Sequence, residues 1–205
     1  MDLSEIADLK KYSEAEKLQH EAAQYLDAKD YNSAFEAINE AIKLAPNYCA
    51  LYNSRALIYM EIHDYQQALA DFNRAIEMIP SFPLFHLNRA ACYFILKEFK
   101  KALAGLDEAV KLAPGEPFYL LQRANLYVAL KRYDEAIIDC AAAIALNPQS
   151  QEAIRELLSV NRQRVRNEIV LDLNITRSRP AVFSRSRADG MTESLIVLPG
   201  KQTIN

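Results

Sequence analysis

The chain is poor in the residues that make sharp turns and reactive sites: of its 205 residues, 4 are glycine and none is tryptophan. So little glycine argues against a loop-rich β architecture, whose tight turns need positive φ, and leaves no Gly-rich loop to cradle a phosphate. The three cysteines, Cys49, Cys92 and Cys140, are odd in number and lack paired spacing. A disulfide framework and a Cys-x-x-C redox or zinc motif are therefore not expected. His20, His63 and His86 stand far apart, in no metal or nucleophile motif. The longest apolar runs, 90–96 and 140–146, fall short of the ~20 residues a membrane span needs. The start, Met1-Asp2-Leu3-Ser4-Glu5, lacks the basic and apolar blocks of a secretory signal, so the cytosol or the nucleus is the expected address. With no site in view, neither catalysis nor a cofactor is expected.

What the chain does have is apolar material, 51% of its residues against 25% charged, arranged with a long period. Pro46, Pro80, Pro114 and Pro148 stand 34 residues apart. A fixed spacing of that size means one helical hairpin copied in tandem. Taking Ala15, Cys49, Pro83 and Pro117 as first residues, the eighth position reads Ala22, Ala56, Ala90, Ala124 and the eleventh Tyr25, Tyr59, Tyr93, Tyr127. The twentieth reads Ala34, Ala68, Ala102, Ala136, and the twenty-seventh Ala41, Ala75, Ala109, Ala143. Between them, residues such as Phe35, Ile38 and Ile42 give each second helix one buried stripe. Alanine fits where two helices approach closely. Arg55, Arg89 and Arg123 recur in register at the seventh position, which points to contacts between helices rather than to a ligand.

These columns resemble the tetratricopeptide repeat family, in which a small residue, a tyrosine, two alanines and a terminal proline recur at such places. The resemblance covers 15–150 and implies an all-α, right-handed superhelical solenoid of helix-turn-helix hairpins. Four repeats are expected at 15–48, 49–82, 83–116 and 117–150. At the fourth position, usually aromatic, the chain has Leu18, Tyr52, His86 and Leu120, and Cys140 replaces a large apolar residue at position 24. His86 and Cys140 are then packing residues.

The ends need closing, because an exposed repeat interface is an aggregation surface. Residues 1–14 read as a leading segment with a short helix, and Ser13 with Glu16 as a capping box opening the first repeat. After Pro148, Ile154, Leu157, Leu158 and Val165 recur at helical spacing among charged residues, predicting a capping helix over 151–166, apolar inward and charged outward. Residues 167–205 read as an Arg-rich tail with two apolar segments. In the first, Ile169, Leu171, Leu173 and Ile175 alternate as one face of a strand; the second contains Leu195 and Val197. Residues 151–205 hold 9 Lys/Arg against 6 Asp/Glu, a balance of +3, while the remainder carries −6. The tail is expected to return to the groove when no partner is present, and in trans the same contact gives self-association.

The family resemblance assigns the inner wall of the groove to positions two, five, nine and twelve of each first helix. Here these are Glu16, Gln19, Ala23 and Leu26; Ala50, Asn53, Leu57 and Met60; Leu84, Leu87, Ala91 and Phe94; and Phe118, Leu121, Asn125 and Val128. The wall is polar at its start and apolar from Leu57 onward, which marks an interaction surface. The resemblance also implies a candidate partner, the acidic tails of heat-shock chaperones, held by a two-carboxylate clamp. The clamp positions here read Gln19, Ala23, Ser54, Leu84 and Asn88, without a cation to meet a carboxylate, so chaperone tails are disfavoured. The expected function is a non-catalytic scaffold or co-chaperone-like adaptor binding an apolar or amphipathic segment of a partner protein. The alternative is binding of nucleic acid or an anionic surface through the stretch from Arg162 to Arg187, against which stand its single aromatic, Phe183, and the net charge of −3.

Overall fold

The computed structural model describes the backbone of residues 3–178, 181–186 and 192–197, and the side chains of residues 9–169. Eight helices form four successive hairpins. They are α1 (Leu3–Asp27) with α2 (Tyr31–Leu44), α3 (Cys49–Glu61) with α4 (Tyr65–Met78), α5 (Pro83–Ile95) with α6 (Phe99–Leu112), and α7 (Pro117–Ala129) with α8 (Tyr133–Leu146). A ninth helix, α9 (Gln151–Ser178), packs on α8, and two antiparallel strands follow, β1 (Ala181–Ser186) and β2 (Thr192–Val197), with Ala181 opposite Val197. The array itself is an all-α solenoid, each helix packing on its sequence neighbours.

The alanine columns explain that packing. Ala22, Ala56, Ala90 and Ala124 are buried, as are Ala34, Ala68, Ala102 and Ala136. The absence of side-chain bulk lets the two helices of a hairpin approach closely. Ile38, Phe72, Leu106 and Cys140 fill the interior of the second helices at one common position. His86 is buried with its Nε2–H donating to the Pro80 carbonyl at 2.8 Å, much as the Tyr52 hydroxyl donates to the Pro46 carbonyl at 2.9 Å. It is a packing residue, as is Cys140.

Each first helix stops in the same way. Lys29, His63, Lys97 and Lys131 take positive φ of 59°, 63°, 60° and 59°. The next residue's N–H (Asp30, Asp64, Glu98, Arg132) returns to the carbonyl of Tyr25, Tyr59, Tyr93 or Tyr127 at 2.8–2.9 Å, which makes the 6→1 bond of a Schellman motif. Asp30 and Asp64 also cap the helix that follows, accepting from the N–H groups of Ser33 and Gln67. One residue thus ends one helix and opens the next.

Three expectations are corrected. Residues 1–14 are not a separate segment: α1 runs unbroken from Leu3 to Asp27, so Ser13 lies inside a helix and caps nothing. No glycine or proline interrupts Leu3 to Ser13, and a helix already nucleated extends at the gain of one hydrogen bond per residue. By the same reasoning the capping helix does not end at 166. Ile169, Leu171, Leu173 and Ile175 belong to the helix α9 rather than to a strand, and α9 runs to Ser178. Finally, α9 turns Ala153 and Val160 inward and leaves Leu158 and Val165 exposed, so only part of its apolar surface is covered. Leu195 and Val197 lie in β2; their side chains fall outside the described residues, and with them the expected return of the tail to the groove.

Candidate partner-binding groove

The first helices α1, α3, α5 and α7 carry the positions expected to line the groove. Leu57, Phe94 and Phe118 are 38%, 40% and 43% exposed, and Asn125 is exposed as well. Asn53, Met60, Leu84, Leu87 and Val128 are half-buried. Leu121 does not belong with them. It is 4% exposed and belongs to the core cluster that α7 forms with Ala136, Cys140 and Ala143 of α8 and Ala153 and Val160 of α9.

Polar side chains bridge the early junctions of the groove. Gln19 of α1 donates to the Ser54 hydroxyl of α3 at 2.7 Å, and Asn88 of α5 donates to Asn53 of α3 at 2.9 Å. Between α5 and α7 this pattern breaks, since Leu87 stands where Gln19 and Asn53 stood. Its counterpart Gln122, and Asn125 one turn on, make no side-chain hydrogen bond among the described residues. A cavity of about 230 Å³ opens at this place. Leu87, Ala90, Ala91 and Phe94 of α5 and Leu106 of α6 form its apolar walls, and Gln122, Asn125 and Leu126 of α7 close it. A smaller cavity of about 60 Å³ lies beside Leu57 at the first junction.

The local sequence explains the larger cavity. Ala91 leaves room at position nine. Gly105, in α6, removes a side chain whose Cβ would stand 3.0 Å from the Ala90 Cβ and 3.1 Å from the His86 carbonyl, so α6 lies close against α5. The volume exceeds the ~150 Å³ that suffices for a benzene ring in an apolar protein cavity. One large apolar side chain therefore fits, and the two amides beside it each offer a donor and an acceptor, the pair a peptide group requires.

The arginine column is structural. Arg55 forks onto Asp71 at 2.7 and 2.8 Å and donates to Asn39 at 2.9 Å. Arg123 forks onto Asp139 at 2.8 and 2.7 Å and reaches Asp107 at 2.7 Å. Hydrogen bonding from Asp71 and Asp139 raises the pKa of both guanidiniums above their ordinary value, outweighing the opposing effect of burial. Among the described residues Arg89 has only Asn73, at 2.8 Å, because Gly105 replaces the aspartate, and its Nε is buried without a partner there.

Among the described residues no group of His, Cys, Asp and Glu is placed to hold a metal ion, and no helix is long and apolar enough to cross a membrane. Of the cavity residues, Gln122, Ala90, Leu106 and Leu126 were not expected from groove positions alone. Gln122 shares its column with Ser54 and Asn88, and that shared position is the signal that could have found it.

Tetratricopeptide repeat family models match residues 25–48, 53–117 and 117–150. No curated protein matches the chain. Among solved structures, the thermophilic repeat protein TTC0263 of Thermus thermophilus superimposes with a TM-score of 0.64 at 25% identity, over 71% of this chain and 80% of its own. A tetratricopeptide repeat protein of Parabacteroides merdae gives 0.63 at 24% identity, over 76% and 62%. The first repeat domain of Spaghetti (RPAP3), solved with the HSP90 peptide SRMEEVD, gives 0.50 at 25% identity, over 56% and 91%. The period, the alanine columns, the hairpins and these likenesses agree, and the chain belongs to the tetratricopeptide repeat family, whose fold is a scaffold for protein–protein interaction.

Proposed function

We propose that this protein is a non-catalytic adaptor that holds an apolar or amphipathic segment of a partner protein in its groove, with one large apolar side chain seated between α5 and α7. The observation that carries this reading is the coincidence of the cavity with two amides, Gln122 and Asn125, that are unengaged among the described residues, at the junction where Leu87 replaces the polar bridge. The segment lies extended, its anchor in the cavity and an adjacent peptide group on the amides. Leu57, Phe94 and Phe118 add exposed apolar surface along its path.

An acidic C-terminal tail like the HSP90 peptide held by the Spaghetti domain is not the ligand of choice. Gln19, Ala23, Ser54, Leu84 and Asn88 offer no cation at the matching positions, so its carboxylates would be desolvated without a charge-assisted bond. The test is a selection of displayed random peptides on the immobilised protein. The selected sequences should share one large apolar residue. Filling the cavity with Ala91→Phe, or placing a charge on its rim with Phe94→Glu, should weaken their binding at least about tenfold, since a buried apolar side chain contributes ~1.5–3 kcal/mol. Unchanged affinity in both variants, with circular dichroism intact, would move the site elsewhere.

A further inference from the structure

α9 is built like a first helix but, among the described residues, has no second helix against it. Counted from Gln151, its eighth residue is Leu158, in the column where Ala22, Ala56, Ala90 and Ala124 are buried by their own hairpin partners. Leu158 is 60% exposed. On the same face lie half-buried Ile154, one turn earlier, and Val165 and Ile169, 47% and 54% exposed, at spacings of seven and four. The stripe is about 23 Å long at 1.5 Å per residue. Among the described residues no further helix follows it. Leucine in place of alanine also prevents the close approach of an ordinary second helix, so whatever covers this face sits farther out than α2 does on α1.

The two ends of the array differ. The face that α3 turns toward the preceding hairpin carries buried Leu51 and Ile58, but the same positions in α1 are Lys17 and Gln24, both exposed, with exposed Glu21 between them. The front face is sealed by polar side chains, and a simple stacking of rear face on front face is unfavourable. α1 offers something else. It has 25 residues where α3, α5 and α7 have 13, and on its leading part Leu9 and Tyr12 are 55% and 41% exposed. Residues 1–14 hold four Asp/Glu against two Lys. One row over from the apolar stripe of α9 stand Arg155, Arg162 and Arg166, all exposed, and none of them meets a carboxylate among the described residues. A second α9 laid antiparallel on the first would bring two such arginine rows together.

We propose that the leading part of α1 from a second copy of this chain lies along the open face of α9, with Leu9 and Tyr12 on Leu158, Val165 and Ile169 and its net negative charge drawn to Arg155, Arg162 and Arg166. Copies then join head to tail. The contact is heterologous, so each copy keeps one free front and one free rear and the assembly grows beyond a dimer unless it closes into a ring. The patch is small, so association is weak, concentration-dependent and reduced by salt.

The experiment is sedimentation of the full chain over a range of concentrations, for the wild type, a rear variant (Leu158→Glu with Val165→Glu) and a front variant (Leu9→Glu). These positions are exposed, and circular dichroism should show the helices intact. The wild type should increase in mass with concentration, each variant alone should stay monomeric, and an equimolar mixture of the two should form a one-to-one pair, because each supplies the surface the other has lost. A wild type that remains monomeric overturns the proposal. So does a front variant that still self-associates, which would place α9 on α9, or a mixture that yields no pair.

Discussion

The second and fourth repeats hold their hairpins together with a buried fork, Arg55 on Asp71 and Arg123 on Asp139, while the third keeps the arginine and loses the acid to Gly105. The same third repeat borders the cavity of about 230 Å³ and the unengaged amides. A column kept in register maintains the fold, and the repeat that departs from it has given up a charge pair for a close helix contact and an open groove. Under the function proposed above, strength and recognition fall to different copies of one unit.

The sharpest way to break this comparison is to remove the arginine in each context. Arg55→Met strands Asp71, which is 7% exposed, and should destabilise by about 3 kcal/mol, the usual result of breaking one side of a buried pair. Arg89→Met removes one hydrogen bond and one buried N–H that has no acceptor, so urea unfolding should shift by no more than about 1 kcal/mol in either direction. Equal losses would mean that the fork contributes nothing particular to the second repeat. Next in size, Gly105→Ala should destabilise by about 1 kcal/mol, because the contacts at 3.0 and 3.1 Å force α5 and α6 apart by more than the gain in helix propensity offsets. A more stable variant would show that glycine is not what draws α6 in.

Gln122→Leu should leave stability within about 0.5 kcal/mol, since the amide has no partner to lose, yet weaken a bound segment whose peptide group it holds. Unfolding and peptide affinity measured on one preparation separate the two. The smallest effect is kinetic. Burial raises the thiols of Cys92 and Cys140 to about 11, so at neutral pH neither reacts with a thiol reagent until its surroundings open. Cys92, in the third repeat, should be modified before Cys140, in the fourth; the reverse order would locate the weaker junction elsewhere.

The hairpins, their period and the structural role of the arginines were legible because each rests on identical residues at identical spacing. Three features were not. Leu121 is buried in a core that α7 shares with α8 and with α9, a helix outside the repeats, and its own column does not show this. The lengths of α1 and α9 escaped because the repeat period suggested boundaries that no glycine or proline enforces. The cavity arises from Leu87, Gly105 and Gln122 together, three changes in three helices, each ordinary alone.

The turn inside each hairpin shows what such an architecture permits. Lys29, His63, Lys97 and Lys131 adopt one backbone shape although their side chains differ, because the main-chain bond from the next residue to the tyrosine carbonyl sets the corner. The angle between the two helices is therefore independent of the identity of this corner side chain. Copies of such a unit are interchangeable, and groove residues can drift from one copy to the next while the corners that set the curvature stay the same.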